Sequence, residues 1–138
     1  MSPCLFCSIA AGQIPATRVA ETVDAIAFMD INPAVPGHML VIPRLHSDDA
    51  FDASSASLGA CMDLAARVGR AAVAALDATG ITLLSCSRPD GWQTVFHLHV
   101  HVLPRHQADG LTIPWPCIPG DSAEIAENAR RLRRTLEL

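Results

Sequence analysis

Three histidines at every second position form the most distinctive pattern in this sequence. His97, His99 and His101 lie in the apolar segment TVFHLHVHVLPR, residues 94–105. On a strand that rises about 3.3 Å per residue, these side chains share one face, and the outer two backbones lie about 13 Å apart. Zinc binds imidazole nitrogen at about 2.0–2.1 Å. One ion can therefore take two neighbouring members of the row, but hardly all three.

The histidine row favours chemistry on an anion over structural packing. Burying three imidazoles costs desolvation free energy that apolar side chains would avoid. Near pH 7 a neutral imidazole can act as a nucleophile at phosphorus, while a protonated neighbour can hydrogen-bond the developing negative charge. We therefore expect a substrate that contains phosphate.

Apolar runs bounded by turn residues predict the strands that must position the histidines. These strands are expected at residues 24–31, 37–44, 81–87 and 94–104. The first two are separated by a short Pro-rich loop and the last two by the turn-rich RPDGW, so both pairs are expected to form hairpins.

Two helices are predicted around these hairpins. An Ala-rich stretch with apolar residues at helical spacing predicts a long helix over residues 54–78, with Gly80 as its C-terminal cap. Asp121 and Glu124 resemble a capping box and predict a tail helix over about residues 121–138. One face of the tail helix carries the apolar residues Ile125, Ala129, Leu132 and Leu136. We expect this helix to pack by that face.

Length and composition predict a single cytoplasmic domain over residues 1–138. A chain of 138 residues buries about 68–70% of the surface of its unfolded form, so it needs no disulfide. The formal charge of −4 argues against a nucleic-acid partner. The apolar runs are far shorter than the roughly 20 residues that span a bilayer, and no secretory signal pattern is present. No membrane partner is expected.

Cys4 and Cys7 form a C-x-x-C pair near the N-terminus. No βαβ pattern accompanies the pair, so a thioredoxin-like site is not indicated, and in a cytosolic protein the pair is typical of half a zinc site. The alternative is two free thiols. Cys61 and Cys117 are expected to be inert small hydrophobes.

The segment WQTVFHLHVHVLPR resembles the signature of the histidine triad (HIT) family of nucleotide hydrolases and transferases. The N-terminal region, with MDINP, PGHML and VIPRLH, resembles the opening of the same family, so the likeness covers nearly all of residues 4–105. It implies an α+β domain of HIT-like fold: a five-stranded antiparallel sheet with one long helix and a C-terminal helix. It also implies a homodimer formed through helix and strand contacts.

The resemblance implies a role for each histidine near the row. His99 matches the nucleophile that attacks the α-phosphorus and forms a nucleotidyl-imidazole intermediate, which water then hydrolyses. His101 matches the residue that contacts the phosphate oxygens, His38 is expected to orient the imidazoles, and His97 completes the catalytic set.

The family pattern also implies the substrate contacts. Gln93 and Thr94 match polar positions that hydrogen-bond the phosphate or the leaving group. Asp30 and Ile31 match positions that contact the ribose hydroxyls and flank the base.

The N-terminal region resembles a zinc-binding, bacterial-type branch of the family. That branch holds a structural zinc ion through the C-x-x-C pair, a histidine after the VIP strand and the first triad histidine. The matching residues here are Cys4, Cys7, His46 and His97. Two thiolates and two imidazoles make a closed tetrahedral set with no open position for catalysis.

Two positions depart from the family pattern. Cys86, flanked by Ser85 and Ser87, stands where many members have an amide or other polar residue, so either a neighbouring serine takes that role or the substrate preference differs. Trp92 stands where many members have Gly and is expected to narrow the leaving-group side.

The expected function is hydrolysis at the α-phosphate of purine nucleoside phosphoramidates or dinucleoside polyphosphates. Two alternatives remain open. The first is a nucleotidyltransferase. The second is a nucleotide-binding or metal-binding interaction module with little turnover.

Overall fold

The structure is a computed structural model that describes residues 3–136. The last two residues of the predicted tail helix, 137 and 138, lie outside the described residues. Within residues 3–136 three α-helices and five strands follow one another: α1 (Leu5–Ala10), β1 (Arg18–Glu21), β2 (Ala25–Met29), β3 (Met39–Pro43), α2 (Ser55–Ala75), β4 (Gly80–Leu84), β5 (Val100–Arg105) and α3 (Ser122–Leu136).

The five strands form one antiparallel sheet in the order β1-β2-β3-β5-β4. This confirms the predicted α+β class, the five-stranded sheet, the long helix and both hairpins. Strand β1 has no counterpart among the strands predicted from the residue pattern. Its four residues, RVAE, are mostly exposed and lack the continuous apolar run that marks β2 and β3.

The sheet is covered on one face by α2 and on the other by α1. On the first face Ala25, Val41 and Val100 pack against α2 through Leu64 and Val68. The opposite face carries Ile26, Phe28, Leu40 and Ile42, which pack against Phe6 and Ile9 of α1. In the β3–β5 register Leu40 lies opposite His101. Directly paired residues project from the same side of a sheet, so the imidazole of His101 lies on the α1 face.

Strand β5 is shorter than predicted and begins at Val100. The expectation of three histidines within one strand is therefore wrong, since His97 lies in a bend and only His101 lies within β5. The Leu98 amide donates to the Ser47 carbonyl instead of to a neighbouring strand, which draws this segment toward the loop after β3. The rings of His97 and His99 nevertheless both contact Phe6, so they remain on the α1 side.

Helix α2 begins after the Ser54 cap and ends at Ala75, three residues earlier than predicted. The predicted cap at Gly80 is wrong, because Gly80 is the first residue of β4. Asp77 adopts the left-handed conformation after the helix instead, with φ 55°. Short polar side chains tolerate this conformation better than most residues do.

The tail helix α3 forms as predicted but does not pack by its apolar face. Asp121 Oδ1 accepts from the Glu124 amide at 2.8 Å, which is half of the predicted capping box. Ile125, Leu132 and Leu136 are exposed, and the helix has no buried residue within the part described. The Pro-rich connection before it, TIPWPCIPG, forms neither helix nor strand, since proline lacks the amide donor that both use.

Among residues 3–136, no helix combines the length and the apolar character that a membrane crossing requires.

Candidate functional site

A cavity of about 360 Å³ lies on the α1 face of the sheet. One part of its wall is apolar and comes from α1, the loop after it and the sheet, including Phe6, Ile9, Ile14, Phe28 and Leu40. Another part carries five of the predicted site residues: Asp30, Ile31, Thr94, His99 and His101. Pockets of this size, mostly apolar with a few convergent polar groups, are typical of small-molecule sites.

His99 is buried in this wall, and its geometry fixes which ring nitrogen carries the proton. Nδ1 lies 2.7 Å from the backbone oxygen of His97. A carbonyl oxygen can only accept, so Nδ1 must donate, and the lone pair of the neutral ring resides on Nε2. Burial lowers the pKa of His99. The ring is therefore neutral near pH 7, in the form that can act as a nucleophile.

His99 is also held by one contact to its backbone and one to its ring. The Ser85 hydroxyl donates to the His99 carbonyl at 2.8 Å. The Phe6 ring meets the His99 imidazole edge-on, with centroids 5.2 Å apart. These contacts leave the imidazole little freedom to rotate.

His38 and His101 form a hydrogen-bonded pair at the cavity wall. The Ala34 amide donates to His38 Nδ1 at 3.0 Å, so His38 carries its proton on Nε2. That nitrogen lies 2.9 Å from His101 Nδ1, which accepts. The remaining proton of His101 is then on Nε2, available as a donor. Burial and the neighbouring His99 and His38 rings lower the pKa of His101 to about 4, so it donates as a neutral imidazole.

Asp30 completes this group from the end of β2. Its Oδ2 lies 3.4 Å from His38 Nε2, and its Oδ1 accepts from the Asn32 amide at 2.8 Å. Asp30, His38 and His101 bring possible ligand atoms within 4.8 Å of one another. A metal ion does not fit them, because the only lone pair of neutral His38 already accepts from Ala34.

A second cluster, which we call the Cys/His cluster, consists of Cys4, Cys7, His46 and His97, the four predicted metal ligands. Their ligand atoms all lie within 4.8 Å of one another. The Cys4 Sγ–His97 Nδ1, Cys7 Sγ–His46 Nδ1 and His46 Nδ1–His97 Nδ1 distances are 3.3, 3.4 and 3.1 Å. In a tetrahedral zinc site neighbouring ligand atoms lie about 3.3–3.8 Å apart. The cluster thus matches zinc to within a few tenths of an ångström.

Hydrogen bonds behind the cluster orient both imidazoles for metal binding. His97 Nε2 donates to the Pro43 carbonyl at 3.1 Å, and His46 Nε2 lies 2.8 Å from Asp48 Oδ1. Each bond leaves the Nδ1 lone pair directed at the cysteines. Partners of this kind behind the ligands are typical of protein zinc sites. The described residues can therefore hold a metal ion here.

The structure does not bring Gln93 to the cavity. Its side chain is buried, with the amide nitrogen donating to the Asp48 and Val95 carbonyls and the amide oxygen accepting from the Arg88 amide. The amide therefore joins the loop before β5 to the loop after β3. These bonds engage the amide with backbone groups, and the contact of Gln93 with phosphate stays a prediction. Of the predicted pair, only Thr94 lines the cavity.

The two departures from the family pattern lie on the same stretch of chain. Cys86 is buried, and burial raises the pKa of its thiol. Ser85 donates to the His99 backbone, and Ser87 Oγ accepts from the Ala50 amide at 3.3 Å. Both serines thus make structural hydrogen bonds. Trp92 is exposed and stacks on Trp115.

Helix α1 is the part of the site that the residue pattern did not reveal. Cys4 caps it, and the Cys7 amide donates to the Cys4 sulfur at 3.4 Å. The i, i+3 spacing of the two cysteines is the signal that could have indicated a helical turn there. Cys61 is buried, which raises its pKa to about 12 and fits the inert role expected of it.

The comparisons with known proteins all indicate the same protein family. The family model for the HIT domain matches residues 11–108. A HIT-like protein of Mycobacterium tuberculosis is 40% identical over 116 residues, which cover 80% of this chain and 77% of that protein. Adenosine 5'-monophosphoramidase hnt1 of Schizosaccharomyces pombe is 33% identical over 123 residues, which cover 88% of this chain and 90% of that protein.

A solved structure agrees with these sequence matches. The crystal structure of a zinc-bound histidine triad family protein from Mycobacterium smegmatis superposes with a TM-score of 0.77 at 32% identity. The match covers 97% of this chain and 95% of that one.

Proposed function

This chain belongs to the histidine triad family, and from that premise we propose that it hydrolyses purine nucleotides at the α-phosphate. The substrates are nucleoside phosphoramidates or dinucleoside polyphosphates. The observation that carries the proposal is the state of His99, a neutral imidazole with its proton fixed on Nδ1 in the wall of a 360 Å³ cavity. A relative that is an adenosine 5'-monophosphoramidase supports it.

The cavity suggests how such a substrate is held. The purine base lies against the apolar wall formed by Phe6, Ile9 and Ile14, with Ile31 at its edge. The Asp30 carboxylate accepts from the ribose hydroxyls. This arrangement places the α-phosphate among His99, His101 and Thr94.

The reaction proceeds through a covalent intermediate. Nε2 of His99 attacks the α-phosphorus and forms a P–N bond, while the bond to the leaving group breaks and the leaving atom takes the electron pair and a proton from solvent. Water then attacks the same phosphorus. The P–Nε2 bond breaks, its electron pair returns to Nε2, and the water gives up its proton to solvent. The product is a nucleoside monophosphate.

Two neighbouring histidines support this chemistry without changing charge. His101 donates from Nε2 to a phosphate oxygen, and this bond strengthens as negative charge develops there. His38 fixes the His101 tautomer by donating to its Nδ1. Because the pKa of His101 is lowered to about 4, this donor stays in the same form across the neutral range.

We further propose that the Cys/His cluster holds a structural zinc ion. A closed set of four ligands leaves no position for substrate, so the ion supplies stability and no step of the reaction. It joins α1 to the segment that bears His99, because His97 is both a ligand and the residue whose carbonyl orients His99. Cysteines that bind metal instead of forming disulfides are typical of reducing compartments, which agrees with the predicted cytoplasmic location.

We also propose a homodimer. Strand β4 is an edge strand of the sheet. Exposed apolar residues occur on the strand itself, on α2 and at the residue that caps α2, namely Ile81 and Leu84, Met62 and Val73, and Leu76. Pairing of two such surfaces would remove these side chains from water.

The test is a substrate panel with zinc content measured on the same preparations. Adenosine and guanosine phosphoramidates and diadenosine tri- and tetraphosphate are offered to the wild type and to His99→Asn. We expect turnover of at least one class, and its loss in the variant at unchanged zinc content. A zinc-loaded protein that binds nucleotide and turns over none of these substrates would instead be a binding module. Product formed on an added phosphorylated acceptor, rather than on water, would identify a transferase.

A further inference from the structure

Two tryptophans lie face to face on the surface. They are the only tryptophans in the 138-residue sequence. The rings of Trp92 and Trp115 are stacked, with centroids 6.4 Å apart and an interplanar angle of 26°. Their exposed fractions are 59% and 57%. Aromatic rings of this size are normally placed where they can bury most of their area, so a stacked pair left in water requires an explanation.

The backbone at Trp92 is held in a conformation that suits glycine. Trp92 follows the short 3-10 turn Pro89–Gly91, and its φ is 72°. A bulky residue with positive φ is an outlier that costs conformational energy. The fold holds this residue there through the turn, with the Trp92 amide donating to the Pro89 carbonyl at 2.9 Å, and through the buried Gln93 side chain. Strain of this kind, with little burial gained in return, clusters at functional positions.

In the sequence, Trp92 lies close to a residue that lines the reacting end of the cavity. Trp92 precedes Thr94 by two residues, so their Cα atoms are within about 7 Å of each other. Thr94 lines the cavity together with His99 and His101. The apolar wall that suits the nucleoside base is formed by α1 and the sheet. Trp92 therefore adjoins the reacting end of the cavity along the chain, as does the exposed Phe96 two residues after Thr94. The two stacked indoles offer a larger aromatic face than the Phe96 ring to a leaving group that projects beyond the α-phosphate.

We propose that Trp92 and Trp115 form a platform that stacks on the aromatic base of the leaving group. This rests on the proposed hydrolase function and specifies its substrate class, since only a dinucleoside polyphosphate carries a second base. Loss of an aromatic side chain that stacks on a base weakens binding about 5- to 150-fold. The platform therefore selects dinucleoside polyphosphates over phosphoramidates, whose leaving group has no base to stack.

Specificity is measured as the ratio of kcat/KM for diadenosine tetraphosphate to kcat/KM for adenosine phosphoramidate, using the full zinc-loaded chain. Trp92→Gly removes the ring and suits the backbone, because glycine adopts this φ without strain. Trp115→Ala removes the other ring, and Trp115→Phe retains an aromatic face. Phe51→Ala is the matched control, because Phe51 is exposed and lines a different surface depression, beside Asp48 and Arg88.

We expect the ratio to fall about tenfold in Trp92→Gly and in Trp115→Ala. It should stay near the wild-type value in Trp115→Phe and Phe51→Ala. A ratio that neither tryptophan variant changes would overturn the platform while leaving the hydrolase function intact. Absence of turnover with both substrates in the wild type would instead contradict the hydrolase function.

A binding measurement tests the platform independently of turnover. In His99→Asn, intrinsic tryptophan fluorescence arises from this pair alone. Diadenosine tetraphosphate should quench it more strongly than AMP at equal occupancy of the cavity. Equal quenching by the two nucleotides would show that the second base does not reach the indoles and would overturn the proposal.

Discussion

Acidification should destabilise the fold through His101, and the size of this effect follows from its burial. Burial and the facing His99 and His38 rings lower the pKa of His101 from 6.5 to about 4, while the Asp30 carboxylate opposes them. At about 1.36 kcal/mol per pKa unit, this difference corresponds to about 3 kcal/mol. The folded state binds fewer protons than the unfolded chain between these two pKa values. The contribution of neutral His101 to the free energy of unfolding is therefore fully present above pH 6.5. It is lost as the pH falls toward 4.

The assay is urea unfolding followed by circular dichroism at several pH values between 7.5 and 4.5, for the wild type and for His101→Asn. The variant loses the packing of the imidazole ring, while its side-chain oxygen can still accept from His38 Nε2. It has no imidazole to titrate at this position, so its free energy of unfolding should fall less steeply with acid. Zinc loss at low pH affects both proteins alike, since His101 is not in the Cys/His cluster, and it cancels in the difference. Identical pH slopes for the two proteins would refute the reasoning.

Other single substitutions separate folding from chemistry. Cys4→Ala should lose zinc and lower the melting temperature, with the remaining folded protein still active; unchanged melting at zero zinc content would contradict a structural ion. Ser85→Ala removes the hydroxyl that donates to the His99 carbonyl, a hydrogen bond that contributes about 1 kcal/mol. The variant should therefore lower kcat roughly fivefold at similar KM. An effect on KM alone would argue against this positioning role. Asp109→Asn breaks the pairing with Arg105 that anchors the segment after β5, so limited proteolysis there should accelerate without loss of activity.

Much of the site could be predicted because short motifs fix local geometry. The alternating histidines were expected on one side, and although only His101 lies within β5, the rings of His97 and His99 also lie on the α1 face. The Cys4–Cys7 spacing places two sulfur atoms on one helical turn, so contacts with His46 and His97 complete the Cys/His cluster.

Other features could not be predicted because they depend on tertiary hydrogen bonds. The Gln93 amide was expected at the phosphate, yet its donors and its acceptor are taken by the backbone of two loops. Which nitrogen of His99 carries the proton depends on a backbone carbonyl whose position only the fold determines. The apolar stripe of α3 predicted packing, but in the structure Ile125, Leu132 and Leu136 are exposed.

The most direct test of the central claim is to look for the covalent intermediate itself. Wild-type protein is mixed with a substrate that it turns over, quenched within the first turnovers and analysed by mass spectrometry of the peptide that contains residues 94–105. We predict a nucleotidyl group on His99, absent from the same peptide of His99→Asn. Product formation without any adduct, with inversion of configuration at a chiral α-phosphorus, would mean that water attacks directly and would contradict the assignment of His99 as the nucleophile.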